Sequence, residues 1–114
     1  LLGCGEGRST EQWVDFNFFG HQLSLHLGPP FSTADSGCVD SQRVPMPHFG
    51  VVLPLPEWQA LASRLQAAGT AWILEPQQRF AGQAGDQWTM FFRDPAGNPL
   101  EIKGLARFAG VFAA

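Results

Sequence analysis

Glu101 is the side chain of this 114-residue sequence most clearly placed to do chemistry. It lies in the run WTMFFRDPAGNPLEIK, residues 88–103. The aromatic and β-branched segment Trp88 to Arg93 predicts a strand. Asp94 to Asn98 is dense in turn residues: Pro95 presets φ, Gly97 permits φ > 0, and Asp94 can bond the backbone two residues on. Leu100 to Lys103 resumes an extended pattern, so the run predicts a hairpin. Side chains alternate along a strand, which places Leu100 and Ile102 on one face and Glu101 and Lys103 on the other. A carboxylate just after a tight turn, on a rigid element, is suited to act as a metal ligand or a base.

The elements that must position this hairpin read as follows. Residues 1–10 suggest a turn and entry loop. Trp13 to Phe19 is strand-like in its aromatic content, Gly20 breaks it, and His21 to Leu27 alternates as a second strand. Leu23, Leu25 and Leu27 share one face of that strand, and Gln22, Ser24 and His26 share the other. Residues 28–44 show no periodicity and read as a linker. A strand then runs through His48 to Leu53, ended by Pro54 and Pro56, and Pro56 suits the first turn of a helix. Trp58, Leu61, Ala62, Leu65 and Ala68 recur at helical spacing, Glu57 sits at the positive helix end, and Gly69 closes the helix. Thr70 to Leu74 predicts a strand, residues 75–87 a long loop carrying Arg79 and Phe80, and residues 107–114 an apolar tail. From 46 to 103 the order is strand, helix, strand, strand, strand. The pattern of Gly97, Leu100 and Ile102 is repeated by Gly20, Leu23 and Leu25, which suggests an internal repeat.

Composition narrows the function classes. The length suits one domain near the small end of the usual range. Apolar residues make up 45% of the chain and charged residues 15%, a folded rather than a disordered composition. The net charge is −3, with no basic run, which argues against nucleic acid and anionic membrane surfaces as partners. No apolar run approaches the roughly 20 residues that span a bilayer, and no charged-then-apolar leader is present. The two cysteines, Cys4 and Cys38, form neither a disulfide framework nor a metal spacing, and read as thiols in a reducing cytoplasm. The sequence opens on Leu1-Leu2-Gly3-Cys4 without an initiating Met, and Gly3 has the character of a helix-closing glycine. An upstream stretch is therefore expected. Phosphate-binding glycine loops and the G-x-S-x-G and H-E-x-x-H motifs are not found.

The segment Phe92 to Glu101, an aromatic followed by D-P-x-G-N-x-L-E, resembles the signature closing a module of the vicinal oxygen chelate superfamily. That superfamily includes glyoxalase I, extradiol dioxygenases, and the bleomycin- and fosfomycin-resistance proteins. The segments 21–27 and 47–51 also resemble its dioxygenase-like branch. The resemblance implies an α+β fold of paired βαβββ modules, the first lacking its opening strand and helix in this chain. The expected organisation is a partial first module over 1–27, a linker over 28–45, a complete second module over 46–105 and a tail over 106–114.

The resemblance also implies a site. In metal-dependent members, the residues in the positions of His48 and Glu101 bind a divalent ion, here Fe, Mn, Ni or Zn. One imidazole and one carboxylate on neighbouring strands begin such a site, and a second histidine would complete a facial triad. Ser24 stands where the first module would supply a carboxylate and is not a competent ligand; His26 is the local substitute. Glu101 is also the expected catalytic residue, with Arg79, Gln22 and His26 contacting the substrate. Plainer roles stand beside these: His48 as a hydrogen-bonded strand-start residue, Arg79 as a solvated charge, His21 as a turn residue and Trp58 as core. Two functions are carried forward. The first is a metal-dependent glyoxalase/dioxygenase-like enzyme acting on neighbouring oxygens of a small substrate. The alternative is a metal-free binding protein of the bleomycin-resistance kind, or a truncated inactive homologue. A strand edge left open in the first module predicts a homodimer.

Overall fold

A computed structural model describes residues 1–79 and 86–107 of the chain. The chain divides into two compact units, Leu1–Pro30 and Phe31–Ala114. The first unit is a three-stranded antiparallel sheet of β1 (Gly5–Ser9), β2 (Trp13–Phe18) and β3 (His21–His26), in that order. β1 corrects the expected entry loop. All five of its residues are exposed, so it carries no apolar alternation, and only its pairing with β2 defines it. β2 and β3 join through Phe19 and Gly20, both at positive φ (52° and 89°), the two-residue hairpin geometry that follows the strand twist. The Asn17 side-chain oxygen accepts from the Gly20 N–H at 2.7 Å.

In the second unit, β4 (Ala34–Val39) and β5 (Gln42–Met46) form an antiparallel hairpin. This corrects the linker expected over 28–45. Its strands are mostly exposed and rich in Ser, Asp, Gly and Gln, so they give no periodic signal. The hairpin is secured by Val39 and Val44, which cluster with Leu74 and Phe91.

The remaining elements are β6 (Phe49–Pro54), α1 (Leu55–Ala67), β7 (Trp72–Arg79), β8 (Gln87–Arg93) and β9 (Pro99–Leu105). This is the βαβββ order expected from the sequence. The four strands make one sheet in the order β6-β9-β8-β7. β6 runs parallel to β9, and the other pairs are antiparallel. The helix buries Trp58, Leu61, Ala62 and Leu65, the stripe predicted from their spacing, and Gly69 at φ 75° follows its end. Trp58 is fixed twice against β9. Its indole N–H donates to the Ile102 carbonyl at 2.9 Å, and its ring lies over Gly104, where an added Cβ would come within 2.6 Å of Trp58 Cγ. β7 continues to Arg79, five residues beyond the predicted end, and β8 begins at Gln87, so much of the expected loop is strand. Phe80 and the apolar tail from 108 onward lie outside the described residues.

The β8–β9 turn forms where its residue types predict, but Asp94 bonds four residues on rather than two. The Asp94 carboxylate accepts from the Asn98 N–H at 2.8 Å and from the Asn98 side-chain amide at 2.9 Å, and Gly97 has φ 96°. Five residues separate the paired Arg93 and Pro99, against two between Phe18 and His21. The two glycine-containing turns are therefore of different kinds.

Candidate functional site

The parallel pairing of β6 with β9 sets Gly50 beside Glu101 and brings His48, just ahead of β6, to the same place. His48 Nε2 lies 3.4 Å from Glu101 Oε1. The side chains are 20% and 12% exposed, screened yet reachable from solvent. Gly50 makes this approach possible, because a Cβ there would collide with the Glu101 carbonyl. Glycine inside a strand commonly marks such a close backbone contact.

Each member of the pair is held from behind. His48 Nδ1 is 2.9 Å from the Pro45 carbonyl. A carbonyl only accepts, so Nδ1 carries the proton and donates. Glu101 Oε2 accepts from the Thr89 hydroxyl at 2.7 Å. Phe91, cross-strand from Glu101, packs against the His48 ring in a T-shaped contact with centroids 4.8 Å apart. Phe91 belongs in turn to the cluster with Val39 and Val44. The β4–β5 hairpin therefore supports the ring against which His48 rests, and its final strand supplies the Pro45 carbonyl.

This arrangement leaves a ring nitrogen and a carboxylate oxygen facing one another. With Nδ1 turned to the Pro45 carbonyl, Nε2 is the ring nitrogen that faces Glu101 Oε1, the nitrogen through which an imidazole would bind a metal. Two donors each about 2.1 Å from one ion, at angles of 90–109°, lie roughly 3.0–3.4 Å apart. The pair therefore fits a shared divalent cation in both donor type and spacing. Among the described residues, no group of three or more His, Cys, Asp or Glu gathers at one point, so His48 and Glu101 form a two-residue donor set.

Of the other expected site residues, Arg79 belongs to the second unit and Gln22 and His26 to the first. Arg79 ends β7, and its Nε lies 3.6 Å from Asp40 Oδ2 at the tip of the β4–β5 hairpin. It is a mostly buried strand residue rather than the loop residue expected. Gln22 and His26 stand on β3 in the first unit. Gln22 donates to Asp15 at 3.2 Å and Ser24 to the same carboxylate at 2.5 Å, while His26 is exposed and pairs with Trp13 across the sheet. A groove of about 610 Å³ runs along β7 and Gln42, and neither His48 nor Glu101 lines it. Thr89 and Pro45 were not anticipated. Thr89 had one available signal: it shares the alternating face of Phe91 on a strand already predicted.

No family model and no curated protein matches the sequence. Solved structures do. The chain is similar to a glyoxalase/bleomycin resistance protein/dioxygenase from Alicyclobacillus acidocaldarius, with 26% identity and a TM-score of 0.73 over 97% of this chain and 80% of that one. The fosfomycin resistance protein FosX from Listeria monocytogenes is 17% identical, with a TM-score of 0.63 over 96% of this chain and 78% of its own. Lactoylglutathione lyase from Agrobacterium tumefaciens is 19% identical, with a TM-score of 0.58 over 98% and 80%. The last two likenesses establish the fold alone. Together with the turn-and-glutamate signature at 92–101, the shared fold and the match over nearly the whole chain place this protein in the vicinal oxygen chelate superfamily.

Proposed function

We propose that the protein is a divalent-metal-dependent enzyme of the glyoxalase/dioxygenase kind, acting on a small organic substrate through neighbouring oxygens. The observation that carries this reading is the facing pair His48 Nε2 and Glu101 Oε1 at 3.4 Å, with the far atom of each engaged by a protein partner. Ligands of a metal are commonly oriented by such outer partners. His48 and Glu101 are the ligands in this reading, and further ligands come from groups beyond this pair. When bound, an Fe, Mn, Ni or Zn ion would supply Lewis acidity toward the substrate oxygens, or oxygen chemistry if it is iron. The chain's own residues hold Glu101 Oε1 toward the site and keep the protonated face of His48 turned away from it. Glu101 is the catalytic residue of the proposal. Cys4 and Cys38 are free thiols, which accords with a cytoplasmic setting, and no described helix is long and apolar enough to cross a membrane.

The test is elemental analysis of the purified protein after anaerobic reconstitution with Fe, Mn, Ni and Zn in turn. Near-stoichiometric uptake of one ion supports the enzyme. Failure to take up any of them moves the assignment to metal-free ligand binding.

The protein is also proposed to be a homodimer. β3 pairs only with β2 among the described strands, and an open strand edge invites another chain. Leu27 and Phe31 are 82% and 47% exposed, adding apolar surface to cover. Light scattering at micromolar concentration should give twice the 12.4 kDa chain mass; a monomer there would discard the dimer.

A further inference from the structure

We propose that Thr89 is a positioning residue that makes Glu101 a one-oxygen ligand, and that it thereby sets which divalent ion the site prefers. The inference rests on the metal reading above. Thr89 is 0% exposed and is the buried polar side chain of the described core, between apolar neighbours on β8. Valine would fill nearly the same volume and suits a strand as well, so packing gives no reason for a hydroxyl there. A buried hydroxyl is costly unless its hydrogen bond is made. The Thr89 bond goes to Glu101 Oε2 at 2.7 Å, and Glu101 Oε1 is the atom that faces His48.

The consequence is chemical. A carboxylate grips one ion with both oxygens only if both turn toward it, and the Thr89 proton holds Oε2 back. Ca²⁺ favours many oxygens, often a two-oxygen carboxylate, at about 2.3–2.6 Å. An imidazole joined to a one-oxygen carboxylate suits first-row transition ions instead. The hydroxyl therefore favours ions such as Zn²⁺ and Mn²⁺ over Ca²⁺ and leaves Glu101 with a single coordinating atom.

The experiment uses the full chain, stripped of metal and titrated with Zn²⁺, Mn²⁺ and Ca²⁺ by equilibrium dialysis with elemental readout. Wild type, Thr89→Val and Thr89→Ser are compared, with circular dichroism melts confirming that each is folded. Thr89→Val should bind Zn²⁺ and Mn²⁺ about 10–100-fold more weakly, the usual cost of losing an outer-shell partner. Its Ca²⁺ affinity should hold or rise, so that the preference narrows. Thr89→Ser keeps the hydroxyl and should stay close to wild type. Unchanged transition-metal affinity in Thr89→Val overturns the inference, as does an equal loss in both variants, because Thr89→Ser keeps the hydroxyl. Should Thr89→Val not fold, Thr89→Ser decides alone: retained preference supports the inference and a lost one overturns it. A wild type that binds none of the ions overturns the metal reading and the inference together; wild-type binding with an unaffected valine variant overturns the inference alone.

Discussion

His48→Ala and Glu101→Ala should each strip the divalent ion from the reconstituted protein. The loss in affinity should exceed the roughly 10–100-fold that removing an outer-shell partner costs. The expectation follows from the donor count: the described residues bring only these two His or Glu side chains together at this place. Removing either halves the set and leaves the remaining lone pair facing solvent. Both side chains are partly exposed, so neither truncation opens a large void in the core, and the variants should stay folded. That separates ligand from scaffold. Metal content measured alongside a urea melt should show the ion lost while the melt moves little. A large drop in stability with the metal content retained would make the pair a structural contact and return the function to metal-free ligand binding.

Gly50→Ala should damage the site without touching either ligand. The alanine Cβ would meet the Glu101 carbonyl directly. Backbone atoms cannot step aside as the end of a flexible side chain can, so β6 and β9 must separate where His48 and Glu101 meet. Overpacking of this kind costs about 1–3 kcal/mol, read as a lowered urea midpoint. Because the displacement falls on the residue carrying the carboxylate, metal affinity should fall with it. Gly104→Ala is the comparison: it overpacks the same strand against Trp58, three residues along from Glu101 and under the helix. It should lower stability with a smaller effect on metal uptake. Wild-type stability and metal content in Gly50→Ala would show that the close approach of β6 to Glu101 has no functional weight.

The second module was legible in the sequence because its signals are local. The Asp94–Asn98 turn is written in turn-forming residue types, and in the structure the Asp94 carboxylate accepts from both the backbone N–H and the side-chain amide of Asn98. The helix followed from a proline-led start and an apolar stripe, and Trp58, Leu61, Ala62 and Leu65 are buried as that stripe requires. Glu101 was placed on the face opposite Leu100 and Ile102 by alternation alone, and those two are the buried residues of the set. Strands that earn their place by pairing rather than by burial escaped notice. β1, β4 and β5 are largely exposed and carry small or polar residues, so no period betrays them.

The tertiary structure decided how the site is built. His48 and Glu101 stand 53 residues apart, and only the parallel register of β6 on β9 makes them neighbours. The Pro45 carbonyl that sets the histidine's proton arrives from a hairpin that the sequence showed as linker. The Thr89 hydroxyl that engages the carboxylate comes from a third strand. A spacing along the chain records which face a side chain takes, since that depends on its neighbours in sequence. Which atom of that side chain is engaged, and by what, depends on strands paired across the sheet, and those pairings leave no local trace.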